Sequence, residues 1–149
     1  MNAPDPNFGQ RTRDSFAQQP AMGTLGVAIE SVETGRVVLA MAHRADLTQQ
    51  HGFLHAGMVA TALDSACGYA AFTLMPAGAG VLTIEFKINL LAPARGPQLR
   101  FEGQVTKAGR TISVVDGRAF QFEPGGERKL VATMTATIMT VTGRDDVRH

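Results

Sequence analysis

The sequence predicts an α+β fold in which a curved antiparallel sheet wraps one long central helix. Three observations carry that expectation. Ala56–Leu74 is a run of small and apolar residues interrupted by a single carboxylate, Asp64. Four segments with a residue period of two follow it, separated by turn residues. A further pair with the same period precedes it. A helix that is apolar nearly all round must be covered on most sides, and a curved sheet can cover it.

Residues 1–8, with short polar side chains and two prolines, are expected to form a mobile tail. Gln10–Gln19 suits a short helix that ends near Pro20. From Leu25 the period changes, with Leu25, Val27 and Ile29 alternating against Gly26, Ala28 and Glu30. Glu33-Thr34-Gly35 then turns the chain into Arg36–His43, which makes a hairpin. Asp46–Leu54 reads as a loop, and the long helix starts at about His55–Ala56. Pro76–Gly80 ends the helical section. Val81–Leu91 is the clearest strand: Leu82, Ile84, Phe86, Ile88 and Leu90 share one face, and Thr83, Glu85, Lys87 and Asn89 the other. Pro93–Pro97 is a turn, Gln98–Thr106 a strand and Lys107–Arg110 a hairpin turn. Thr111–Phe122 and Lys129–Val141 form the last pair, and Arg144–His149 is a charged tail. The pattern is that of a single domain over residues 1–149.

Composition narrows the function. A chain of 149 residues with 44% hydrophobic and 18% charged residues suits one globular core. A formal charge of +1 argues against a general nucleic-acid or membrane-surface role. Cys67 is the lone cysteine, so no intrachain disulfide or thiolate metal site is expected. No apolar run free of charge reaches the ~18 residues of a membrane span. The start of the chain lacks the charged and apolar regions of a secretory signal. A cytoplasmic protein without a metal is the expectation.

The chemistry concentrates in Gln49–Gly57 and in Asp64. A turn containing glycine and histidine that leads into a helix presents unpaired backbone N–H groups at a positive dipole end. Such an end can hold a carbonyl oxygen or an oxyanion. A lone carboxylate on a buried helix costs free energy unless it is partnered or used. The two features together read as an acyl-transfer site.

On these residues the chain resembles the phenylacetyl-CoA-type (PaaI-like) hotdog acyl-CoA thioesterases. That family carries Asn or Gln, two residues, Gly, two residues, His-Gly-Gly, and an acidic residue nine positions after the histidine. Here stand Gln49, Gly52, His55-Ala56-Gly57 and Asp64. Thr83 with Glu85, the Leu91-Ala92-Pro93 turn and Lys107–Thr111 extend the likeness, which runs from about residue 20 to 141. The first glycine of the usual pair is Ala56, which keeps the backbone N–H but not the freedom of glycine. The resemblance implies a hotdog fold and hydrolysis of acyl-CoA without a cofactor, CoA being part of the substrate. It makes Asp64 the nucleophile or general base and the Ala56 N–H the group that polarises the thioester carbonyl. Gln49 and Thr83 orient the water or the carboxylate, and His55 holds the turn. The pantetheine arm would lie along Lys107, Gly109, Arg110 and Thr111, near the cations Arg95 and Arg100.

Helix geometry adds a constraint of its own. Asp64 follows Ala56 by eight residues, a rise of ~12 Å along one helix at 1.5 Å per residue. One thioester carbonyl cannot lie ~3 Å from both groups of the same chain. The expected working unit is therefore a homodimer with a shared site, or a homotetramer built as a dimer of dimers.

Two other functions fit parts of the chain. Asp46-Leu-Thr-Gln-Gln-His51 matches the Asp, four residues, His spacing of hotdog hydratases, although its flanks differ and Asp64 would be idle. A catalytically silent acyl-CoA-binding module is the other; such proteins attach a DNA-binding segment, and the ~20 residues before the first strand cannot supply a helix-turn-helix. His51 reads as a loop histidine and Cys67 as an inert filler. Tyr69, Phe72 and Leu74 read equally as core or as the lining of an aromatic or medium-chain acyl pocket.

Overall fold

A computed structural model describes residues 1–148. The order is α1 (Phe8–Ala17), α2 (Pro20–Leu25), β1 (Ala28–Glu33), β2 (Arg36–Ala42), α3 (Ala56–Phe72), β3 (Gly80–Leu90), β4 (Gln98–Ala108), β5 (Ile112–Phe122) and β6 (Arg128–Val141). All strands join one antiparallel sheet in the order β1-β2-β4-β5-β6-β3. Helix α3 lies against it and touches β2 through β6. This is the expected α+β hotdog arrangement.

Small residues allow the close seat of helix on sheet. A Cβ on Gly103 of β4 would lie 2.3 Å from the Ala66 carbonyl oxygen, and one on Gly117 of β5 would lie 2.9 Å from Cys67 Sγ. Those glycines, which pair across the sheet, form a shallow floor for Ala62, Leu63, Ala66 and Cys67, all fully buried. Cys67 is thus filler: burial raises its thiol far above its ordinary value. Phe101, Val115, Ala136 and Ile138 complete the core from the concave face.

The N-terminal region differs from the sequence expectation. Pro20 begins a second helix instead of only ending the first, because proline suits the first helical position, where its missing N–H is not needed. Leu25 and Val27 therefore precede the first strand and pack into the core from α2 and its exit. Residues before α1 are not a tail with nothing to pack. Asp5 is only 8% exposed and its carboxylate lies 2.8 Å from Arg11 Nε. Arg11 donates to the Phe72 and Met75 carbonyls at 3.3 and 2.9 Å and stacks over the Phe72 ring. It thereby caps the C-terminal end of α3, where a cation is favoured.

Strand β3 departs most from its sequence pattern. Its register with β6 slips between Thr83 and Glu85, so Ile84 is the extra residue of a β-bulge. Thr83 pairs with Ile138, which is buried on the concave face, whereas Glu85 pairs with Thr137, whose hydroxyl donates to it at 3.2 Å on the other face. Thr83 and Glu85 are therefore on opposite faces, not on one. Thr83 is turned toward α3 by this single inserted residue. The strand also lies at a sheet edge, and Leu82, Ile84, Phe86 and Leu90 remain 43%, 53%, 43% and 54% exposed.

Candidate active site

The first half of the site is the start of α3. His55 is the N-cap residue, and its Nδ1 accepts a hydrogen bond from the Gly57 N–H at 2.8 Å. That bond leaves the ring proton on Nε2. A Cβ at position 57 would sit 3.0 Å from the same Nδ1, so glycine there leaves room for the cap. The His55 carbonyl accepts from the Met58 and Val59 N–H groups, and the N–H groups of Leu54 and His55 reach Ala94 and Leu47. From Leu54 to Val59, Ala56 alone has an N–H with no acceptor among the described residues. Among the described residues only glycines have a positive φ, so alanine at position 56 carries no strain of that kind.

A cavity of about 460 Å³ opens before that amide, lined by Gln49, Phe53, His55, Leu90, Pro93 and Val131 among others. Gln49 enters it from the preceding turn, where its Oε1 accepts from the His51 N–H at 2.5 Å and its carbonyl accepts from Gly52 N–H. Gly52 has φ +84°, a conformation that glycine adopts without cost. Gln49, His55 and Ala56 thus belong to one place.

The second half lies two turns along α3. Asp64 is half-buried, and its Oδ1 accepts from the Thr83 hydroxyl at 2.8 Å. Burial raises the carboxyl above its ordinary value, and the Thr83 bond offsets part of that rise. A separate cavity of about 200 Å³ holds Asp64 and Thr83 together with Gln19, Ser65, Gly68, Tyr69 and Val81. Gln49 is not in it. Within one chain, the groups expected to act on one carbonyl are divided between two cavities.

The hairpin between β4 and β5 forms a third recess. Gly109, Arg110 and Thr111 line a cavity of about 450 Å³ with Leu74, Pro76 and Thr140. A Cβ at Gly109 would meet the Ile112 carbonyl oxygen at 2.2 Å, so this tight turn excludes other residues. Lys107 does not share that lining: β4 continues to Ala108 and carries Lys107 as an exposed strand residue. Arg100 is held by Glu30 at 2.6 Å, and Arg95 stacks on Phe53. Arg110 has no carboxylate partner among the described residues.

Residues 51–127, more than half of the chain, match the family model described as Thioesterase superfamily. The chain belongs to the Thioesterase superfamily. A solved Thioesterase family protein from Silicibacter pomeroyi is 54% identical, with a TM-score of 0.89 over 91% of this chain and 99% of that one. The PaaI protein of the E. coli phenylacetic acid degradation operon shares the fold, at a TM-score of 0.82 and 21% identity, over 95% and 98% of the two chains. "Putative esterase SSO2140" of Saccharolobus solfataricus is 36% identical over 92 residues, 62% of this chain and 65% of that protein. The chain spans just under two thirds of that relative's length.

Several neighbours of Asp64 were not legible in the sequence. Gln19 and Ser65 line the Asp64 cavity, and Ser15 hydrogen-bonds the Tyr69 hydroxyl at 3.1 Å. No local signal marks Gln19, because its partners Ser65 and Tyr69 are 46 and 50 residues away. Of the three residues with two readings, Tyr69 lines the Asp64 cavity, Phe72 is core and Leu74 lines the hairpin recess. In the Asp46–His51 segment, Asp46 is paired with Arg44 at 2.7 Å and His51 is exposed. Among the described residues no helix is long and apolar enough to cross a membrane.

Proposed function

We propose that this chain is an acyl-CoA thioesterase whose site is shared between two copies. The observation that carries the reading is the separation of the free Ala56 amide from Asp64. They occupy different cavities and are ~12 Å apart along α3. A two-fold axis would bring the helix start of one copy to the carboxylate of the other. Strand β3 offers the surface for it. This edge strand has unpaired backbone groups and exposed Leu82, Ile84, Phe86 and Leu90, a combination that invites antiparallel pairing with a second copy. Gly57, Ala60, Thr61 and Asp64 share one partly exposed face of α3, which the Thr83–Asp64 bond joins to β3.

In that composite site the Ala56 N–H holds the thioester oxygen and stabilises the oxyanion as the carbonyl carbon becomes tetrahedral. Asp64 either attacks that carbon, giving a mixed anhydride that water opens, or takes a proton from the attacking water. Both routes break the C–S bond, return a proton to the CoA thiolate and leave a free acid. The raised value of Asp64 brings it closer to the working range of a general base. Thr83 fixes the carboxylate, and Gln49 with His55 shapes the oxyanion end. Gly109, Arg110 and Thr111 would receive the pantetheine and phosphates, with Lys107 at the margin. The substrate is a small aromatic or medium-chain acyl-CoA. A dimer of dimers in the cytoplasm, without nucleic acid, membrane or metal, completes the reading.

The test follows free-thiol release from an acyl-CoA panel. Asp64→Asn is expected to lower kcat by ~10² or more. Ala56→Pro removes the amide donor at a position where proline suits the helix. Mixing the two inactive variants should restore turnover, because each heterodimer regains one intact site. If the subunits exchange and no activity returns, the shared site is wrong. Turnover unchanged in Asp64→Asn would remove both catalytic assignments.

A further inference from the structure

We propose that Gln19, carried by the junction of α1 and α2, determines acyl specificity by selecting acyl groups with an oxygen acceptor near their far end. The inference rests on the acyl-CoA reading above.

The Asp64 cavity has a largely polar lining. Asp64, Thr83, Ser65 and Tyr69 line it with Gln19, which bridges Ser65 and Tyr69 across one turn of α3. Tyr69 follows Asp64 by five residues, a rise of ~7.5 Å along the helix, which suits a short chain or a substituted ring. Gln19 is half-buried and only loosely engaged. Its Oε1 accepts from Ser65 at 3.2 Å, while its Nε2 reaches the Tyr69 hydroxyl at 3.5 Å, the long limit of a hydrogen bond. A carboxamide nitrogen has two N–H groups, and the second has no acceptor among the described residues. In an open cavity solvent is the partner available to it. An acyl group entering the cavity excludes solvent. An apolar end leaves the N–H unpaired, whereas a ketone, ether or hydroxyl oxygen replaces the lost partner. The residue is otherwise dispensable to its helix: Gln19 occupies the N-cap of α2, yet its side chain makes no capping bond.

The experiment compares matched acyl-CoA pairs: para-methyl- against para-methoxybenzoyl-CoA, and hexanoyl-CoA against its penultimate-carbon ketone. The protein is expected to favour the oxygenated member of each pair by about tenfold in kcat/KM. Gln19→Leu should bring that ratio to one or below. Gln19→Glu keeps the shape and the acceptor for Ser65 but offers no N–H, so it should lose the preference for the ketone and the ether as well. A wild-type ratio near one, or a ratio that survives both substitutions, overturns the proposal. So does an equal loss on both members with the ratio intact, which would make Gln19 only a wall; in each of these cases the thioesterase reading stands. The same holds if the acyl group lies instead in the apolar cavity beside Ala56, where Gln19 would be inert. No turnover of any acyl-CoA would overturn both.

Discussion

Replacing Asp64 by asparagine is expected to stabilise the protein while removing its activity. The carboxylate is half-buried, its hydrogen bond is the 2.8 Å one from Thr83, and burial is the larger influence on its titration. Asparagine has nearly the same shape, and its Oδ1 can still accept from Thr83, but it carries no charge to desolvate. Because the group is partly solvated, the gain is screened and amounts to about 1 kcal/mol at neutral pH. For a chain of this size that corresponds to roughly 2–4 °C in Tm. The pH dependence identifies the cause. Below the ordinary value of 3.8 the carboxyl is protonated in both the folded and unfolded chain, so aspartate and asparagine differ little. As pH rises from there, the folded chain holds a proton that the unfolded chain releases. Wild-type stability therefore falls until the raised folded value is passed and stays lower above it. Calorimetry near pH 7 and near pH 3, at one protein concentration, reads the effect without confusing it with assembly. An asparagine variant that is less stable near pH 7, or that has the same advantage at both values, refutes the reasoning.

Two further outcomes follow from the same geometry. Thr83→Val removes the bond that holds Asp64 down, so the acid limb of the kcat/KM profile should move to higher pH, read from thiol release across the pH range. Arg110→Ala should raise KM for acyl-CoA by about tenfold with little change in kcat. The effect should vanish for an acyl-pantetheine lacking the nucleotide, since phosphate contacts are remote from the reacting carbonyl.

What the sequence by itself determined is whatever depends on local periodicity and local spacing. The alternation of residues after Gly80, the apolar run after Ala56 and the turn residues between them specify a strand set and a helix whose observed ends differ by only a few residues from expectation. The interval from His55 to Gly57 suffices to place a capped helix start, because the bond between those residues spans two positions. The rise of an α-helix is likewise local, and it alone separates Ala56 from Asp64. Tertiary structure decided the rest. Period two gives Leu82 through Leu90 one face, but the bulge at Ile84 depends on the register with β6 and sends Thr83 to the helix. Edge position depends on sheet order, and β3 pairs with the last strand instead of the next one, which leaves its apolar side chains open to a second copy. The anchoring of Asp5 by Arg11, and the approach of Gln19 to Ser65 and Tyr69, join residues distant in the chain. Such contacts are set by how α1 and α2 pack on α3. No pattern within either segment encodes that packing.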